Sequence, residues 1–307
     1  MSARRGESGL CGIIAIDKPA GMTSHDVVDR VRSATGERRV GHAGTLDPMA
    51  TGLLVMLIGP ATRLAPFLTS TEKSYAATIV FGAQTDTDDA DGSVMATAPI
   101  PDDVCDPLFA AGVVAGLVGE HDQIPPAFSA IKRGGKVAHV AARSGEVLEI
   151  EPRRIEITEA RLLAVNAVRG EWDVELTVSK GTYIRAIARD LGPALGTVAH
   201  LGALRRTRSG ALDVADSTPL DALGDVAGIT ELFADPVRAL ALPFVEATEQ
   251  QAVEVRDGKR LPVADDLAPG SLFAVTRGDR LLAIFERGQA DAKVAVVIPG
   301  GVSGVRR

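Results

Sequence analysis

The sequence predicts an α+β protein with a small β-rich C-terminal domain. Three observations support this. Apolar strand-like runs and helical patterns follow one another without regular βαβ spacing. The longest helical signal directly follows an alternating strand, in "WDVELTVSKGTYIRAIARDLG". Beyond residue 240 the pattern changes to short strand-like segments broken by Asp-Gly and Gly-Asp turns.

The elements follow in order. "GIIAIDKPAGMTS" reads as a short apolar strand, a turn containing Lys18-Pro19, and a helix cap at Thr23 or Ser24. Val27, Val28 and Val31 then recur at helical spacing. "GLLVMLIGPATR" is a second strand, stopped by Gly59-Pro60. "KSYAATIVFG" is a third, alternating in its middle. In the long segment, Trp172, Val174, Leu176 and Val178 alternate as a strand. The chain turns at Lys180-Gly181 and continues as a helix toward Leu191, with Gly192 and Pro193 expected to end it. Residues 123–152 open on a double proline, contain Gly134-Gly135 and are rich in basic residues, so they read as an inserted loop. The stretch before Leu240 reads as helical and acidic. The final "GGVSGVRR" reads as a frayed tail.

Composition narrows the function. The chain has 307 residues, 46% of them apolar and 24% charged, which is ordinary for a globular protein. No apolar run approaches the roughly 18 residues of a membrane-spanning helix. The N-terminal pattern lacks the apolar core of a signal peptide. A soluble cytoplasmic protein is expected. Cys11 and Cys105 have no metal or redox spacing. The net charge of −7 argues against a polyanionic partner, but its distribution argues the other way. Residues 84–106 hold seven acids and no basic residue, whereas residues 125–210 hold fourteen Lys and Arg against nine acids. A basic middle can supply a face for nucleic acid.

Several motifs are excluded. In "DTDDADG", an EF-hand register that places Gly92 at the loop glycine leaves Thr87 and Ala98 where acids belong, so a solvated acidic loop is expected. The five histidines show no metal-ligand spacing. Walker A, GxGxxG and GxSxG patterns are absent, so no metal and no cofactor is expected.

"VGHAGTLDPMATGLL", Val40 to Leu54, stands out. Pro48 pushes Asp47 toward extended geometry. Gly41 and Gly44 permit backbone shapes closed to other residues. The stretch reads either as an Asp-Pro turn or as a stiff loop that presents one carboxylate.

Five ordered segments resemble the tRNA pseudouridine-55 synthases, the TruB family of pseudouridine synthases. They are "GIIAIDKPAGMTSHD", "GHAGTLDP", "KSYAATIVFGAQTDTDDADG", "IPPAFSAIKRGGKVAHVAAR" and "LTVSKGTYIRAIARDLG" with "LRRTRSG". The resemblance covers about residues 10–210. It implies the pseudouridine synthase fold: a central mixed, largely antiparallel sheet flanked by helices and loops. It implies a catalytic domain over 1–240, a thumb-like insertion near 123–152, and a PUA-like domain over 241–307. It implies isomerisation of uridine to pseudouridine at position 55 in the T-arm of tRNA, without cofactor, by a monomer needing no obligate protein partner.

The resemblance also implies residue roles. Asp47 is the catalytic carboxylate, and Arg185 pairs with it and favours its charged form. Tyr75 lies against the target base and is a candidate to remove the C5 proton. Tyr183 and Leu204 line the uracil pocket. His42 fills the space left by the flipped base. Lys18 and Pro19 shape the loop. Lys132, Arg133, Lys136, Arg143, Arg153 and Arg154 would contact phosphates. One departure is visible: where family thumbs carry tyrosines this chain reads Ala138-His139-Val140-Ala141-Ala142. Two other readings are a guide-dependent synthase of the dyskerin type and a tRNA-folding helper with secondary catalysis.

Overall fold

In the computed structural model the described residues are 8–129, 132–133, 136–138, 150–224, 228–261 and 267–306. The chain divides into two compact units, Met1–Thr71 with Arg208–Arg307, and Glu72–Thr207.

The first unit opens with β1 (Gly12–Lys18) and α1 (Ser24–Thr35). Thr23, not Ser24, caps α1: its side chain accepts the Asp26 N–H, and Asp26 returns a bond to the Thr23 N–H. That capping box satisfies two orphan donors at once. Val27, Val28 and Val31 are buried, as their spacing predicts. β2 (Val40–His42) and β3 (Thr51–Ile58) follow, and both β1 and β2 pair antiparallel with β3. β3 is apolar on both faces because both are covered; seven of its eight residues are buried. Gly59-Pro60 ends it, as expected, in a two-turn 3-10 helix over Gly59–Leu64 that runs into α2 (Ala65–Thr69).

The second unit begins at β4 (Lys73–Phe81), followed by the hairpin β5 (Ala83–Thr85) and β6 (Val94–Thr97). Next come α3 (Pro107–Ala115), β7 (Gly119–Gln123) and a two-residue hairpin, β8 (Lys132–Arg133) with β9 (Lys136–Val137). The remaining elements are β10 (Arg153–Asn166), β11 (Glu171–Val178), α4 (Ile184–Ala194) and β12 (Ala199–Ser209). Strand order is β12-β4-β11-β10-β7, with β4, β11, β10 and β7 antiparallel in turn. Trp172, fully buried, meets Phe81 edge-on at 4.7 Å and donates Nε1–H to the Val104 carbonyl. That bond removes the cost of burying the indole donor. α4 outlasts its expected stop: Gly192 and Pro193 lie inside its last turn. The turn closes around the proline through Leu195 N–H, which donates to the Leu191 and Gly192 carbonyls.

The chain then returns to the first unit. β13 (Leu212–Asp213) and β14 (Thr218–Pro219) are two-residue strands, and β14 lies parallel to β1. The expected acidic helix before residue 240 is mostly absent among the described residues: single 3-10 turns precede one short helix, α5 (Pro236–Leu240). Pro219, Gly224, Gly228 and Pro236 interrupt any longer helix.

β15 (Phe244–Glu246), β16 (Leu272–Arg277), β17 (Arg280–Arg287) and β18 (Ala292–Ser303) form the β-rich segment, with β15 parallel and the rest antiparallel. The Gly278-Asp279 turn falls between β16 and β17 as expected. Asp257-Gly258 instead follows a helix that strand reading misses, α6 (Glu249–Arg256). Its Thr248–Gln251 capping box was a legible signal. The sheet alternates. Phe273, Val275 and Phe285 pack with Val255 of α6, while Ala274 and Ile284 join the core of β1 and β3. A bulge between Leu281 and Ala283 puts Leu281 on the same side as Ile284. The tail is also ordered through this packing. Val302 is fully buried, the Ser303 N–H bonds the Cys11 carbonyl, and the Val305 N–H bonds that of Asp279.

No helix among the described residues is long and apolar enough to cross a membrane.

Candidate functional site

The six expected pocket residues divide between the units. Asp47 and His42 belong to the first; Tyr75, Tyr183, Arg185 and Leu204 belong to the second.

Asp47 sits in the loop between β2 and β3, half-buried. Ala43, Leu46 and Ala50 anchor the loop in the core, while Thr45 and Pro48 face solvent. Gly44 has φ +98°, where a side chain would be strained. The Ser24 hydroxyl of α1 accepts the Leu46 N–H at 2.8 Å and donates to the Leu46 carbonyl at 3.0 Å. Both backbone groups preceding Asp47 are thereby satisfied. Beyond it, the Ala50 N–H bonds the Asp47 carbonyl, and the Pro48 carbonyl accepts from the Gly21 N–H.

Lys18 adds a charged tether. Its side chain is fully buried, and Nζ donates to the carbonyls of Met22 at 2.8 Å, Pro19 at 2.9 Å and Pro48 at 3.3 Å. An ammonium has three donors, and all three find oxygen here. Lys18 therefore ties the turn after β1 to the residue following Asp47, a loop-shaping part. His42 ends β2, its backbone opposite Met56 of β3.

In the second unit Arg185 lies in the first turn of α4, 5% exposed. It donates Nη1 to the Thr87 carbonyl and Nη2 to the Phe128 carbonyl, each at 3.0 Å. Its Nη1 also stands 3.5 Å from Asp89 Oδ2. One helical turn on, Arg189 pairs with Asp88 at 3.3 Å and with Asp190 at 2.8 Å. The acidic loop is thus only partly solvated: Asp86 and Asp91 are exposed, whereas Asp88 and Asp89 are buried against arginines. Burial pushes the Asp88 carboxyl up from its ordinary value, and the Arg189 charge opposes that shift. Asp89 Oδ1 further accepts from the Thr87 hydroxyl and the Asp91 N–H. The sequence carried a signal for this arrangement. Arg185 and Arg189 share a helix face at i,i+4, and a buried face with two cations requires acids.

Tyr183 immediately precedes α4. Gln123, at the end of β7, accepts the Tyr183 N–H at 2.9 Å and donates to its carbonyl at 3.1 Å. Gln123 is buried, and no sequence signal marked this clamp. Tyr75 on β4 is buried and stands opposite Leu176 of β11; Leu204 is buried on β12. Two residues before Tyr75, burial and then the charges of Arg206 and Lys180 lower the Lys73 ammonium to about 8.

Among the residues expected at phosphates, Lys132, Arg133 and Lys136 lie on the β8–β9 hairpin. Arg143 lies outside the described residues. Arg153 and Arg154 are exposed on β10, and Arg154 is engaged by Glu120 at 2.6 Å and Asp122 at 3.7 Å. No cluster able to hold a metal ion occurs among the described residues.

The fold and motifs define a pseudouridine synthase, an isomerase. Residues 32–184 match the N-terminal domain of the TruB family pseudouridylate synthases, and residues 185–247 match the C-terminal domain of tRNA pseudouridylate synthase B. The chain is 45% identical to tRNA pseudouridine synthase B of Mycobacterium sp. (strain KMS), covering 94% of this chain and 96% of the relative. It is 44% identical to the protein of the same name from Nocardia farcinica, covering 95% of each. The chain belongs to the TruB family. Among solved structures, the Cbf5-Nop10-Gar1 complex has a chain that superposes with a TM-score of 0.70 at 24% identity, covering 94% of this chain and 84% of that one. The likeness is one of fold.

Proposed function

We propose that this chain converts uridine to pseudouridine at position 55 in the T-arm of tRNA, with Asp47 as the catalytic carboxylate. The observation that carries the reading is the Asp47 loop: a single acid on a stiff turn, in a chain 45% identical over 94% of its length to proteins named tRNA pseudouridine synthase B.

The reaction breaks the N1–C1′ bond, turns the base over, and joins C5 to C1′. It is an isomerisation and needs no redox partner or energy source. Asp47 acts in its ionised form as nucleophile or base. Arg185 favours that form and fixes its direction. Tyr183 and Leu204 line the uracil pocket, where exclusion of water strengthens the charge interactions. Tyr75 lies against the base and takes the C5 proton late in the reaction. The target uridine is stacked in folded RNA, so the enzyme extrudes it at a cost of a few kcal/mol. His42 occupies the vacated space. The domain reading is a catalytic part over 1–240 with a thumb near 123–152, and a PUA-like part over 241–307. We expect a cytoplasmic monomer acting without an obligate protein partner. Lys132, Arg133, Lys136, Arg143, Arg153 and Arg154 serve phosphate contacts.

The test is direct. The purified chain is incubated with a bare tRNA transcript and pseudouridine is mapped by position. Product is expected at position 55 alone in the T-arm, without guide RNA or protein partners. Asp47→Asn is expected to lower kcat by about 10³-fold or more while leaving tRNA binding intact. Product formation that survives Asp47→Asn would sink the assignment.

A further inference from the structure

Two adjoining cavities in the first unit contain none of the residues given a role above. The larger, about 780 Å³, is lined by Arg38, Arg39, Arg63 and Arg280. The smaller, about 350 Å³, is lined by Arg256, Arg277 and again Arg280. They share the turn Pro299–Gly301 of β18 as a common wall. In a chain of net charge −7 this is a concentrated basic track.

Glu249 lines the smaller cavity and stands 4.0 Å from Arg277, and Asp279 stands 3.9 Å from Arg280, so the uncompensated positive charge falls mainly in the larger cavity. Glu37, the one acid lining the larger cavity, is 4% exposed and accepts from the N–H groups of Ser8 and Arg39 and from the Ser8 hydroxyl. Arg38 and Arg39 form no ion pair among the described residues, and both are exposed. Cys11 adds no thiolate, because burial pushes its thiol up to about 11. Two arginines are braced. Arg63 donates to the Val297 carbonyl at 2.7 Å, and Arg280 donates to that of Gly300. Gly301, at φ +72°, lets the strand lie against Arg280; a Cβ there would stand 3.0 Å from the Arg280 Cβ. Guanidinium forks match phosphate oxygens, and an extended row of them suits a polyanion better than a single ion.

We infer that this arginine track of the first unit binds the sugar–phosphate backbone of the tRNA substrate, outside the nucleotide that reacts. The inference rests on the tRNA reading above. Such contacts position the RNA and carry no sequence information. Their signature is salt dependence, with a slope of about 0.9 per phosphate neutralised on duplex.

The experiment compares wild type, the triple variant Arg38→Gln, Arg39→Gln and Arg63→Gln, and the matching triple lysine variant. Dissociation constants for a full tRNA transcript are measured across about 50 to 200 mM salt, the range over which such contacts dominate. The glutamine variant is expected to bind about tenfold weaker or worse, with a log–log salt slope shallower by about two to three. Saturated turnover is expected to match wild type. The lysine variant is expected to keep the wild-type slope and most of the affinity. A glutamine variant with wild-type slope overturns the inference. So does a lysine variant that falls as far as the glutamine one, which would mark lost packing rather than lost charge. Failure of the tRNA reading is separate: it would appear as wild-type protein that forms no pseudouridine.

Discussion

The loop that carries Asp47 is held by backbone carbonyls, one hydroxyl and one buried ammonium, whereas the helix turn that carries Arg185 is held by buried carboxylates. Around Asp47 the tethers from Lys18 and Ser24 end on the backbone atoms of Leu46 and Pro48. Those tethers hold the loop by its backbone and by one buried cation. Around Arg185 the partners include the Asp89 carboxylate and two carbonyls. A buried guanidinium needs a counter-charge, and the acidic loop supplies it. The first region therefore depends on geometry and the second on charge balance, so their variants should fail in different ways.

The largest effect is expected in the second region. Asp89→Ala leaves Arg185 buried beside a missing charge, and breaking a buried pair costs about 3–5 kcal/mol. Chemical unfolding of the variant should show that loss, and turnover should fall with it. Asp89→Asn keeps the shape and one acceptor, so it should recover part of the stability. Equal stability of Asp89→Ala and wild type would mean that charge balance does not hold this turn.

In the first region Lys18→Met is expected to cost less stability, about 1.5–3 kcal/mol for the lost charged hydrogen bonds and the carbonyls left behind. Its effect on turnover should exceed its effect on unfolding, because the freed Pro48 carbonyl adjoins Asp47. A fall in kcat with KM little changed is the expected pattern. A variant that loses stability but keeps kcat would separate the tether from the chemistry.

Sequence patterns revealed these regions unevenly. The Asp47 loop was legible as an Asp-Pro turn or a stiff loop because its glycines and proline are local; its Ser24 tether, 22 residues before Leu46, was not. The strands around the loop were legible for the same local reason, since β1, β3, β4 and β11 are long apolar or alternating runs. Burial of Asp88 and Asp89 was not legible from the acidic loop itself. Seven acids without a base read as solvated, and only long-range pairing with α4 reverses that. Gln123 left no trace, because a side-chain amide clamping a backbone 60 residues away has no spacing rule. The tail was misread because glycine-rich ends usually fray, whereas here β18 closes against Cys11. Local patterns of glycine, proline and apolar residues are thus read more easily than charges that pair across the chain.

The smallest predicted effect sharpens the contrast most. Ser24 bonds both the N–H and the carbonyl of Leu46, and it is 2% exposed. Ser24→Ala removes both bonds without changing any charge, and it leaves a buried backbone N–H with its desolvation cost, about 1–2 kcal/mol. The start of α1 should be unaffected, because Thr23 rather than Ser24 caps it. Thr23→Ala is the matching control: it should destabilise by about 1 kcal/mol through the lost cap while leaving the Leu46 bonds in place. If geometry alone holds the Asp47 loop, Ser24→Ala should lower kcat several-fold and Thr23→Ala should not, although their stabilities are nearly equal. Matching turnover in the two variants would show that the loop keeps its shape through Lys18 and its apolar anchors alone.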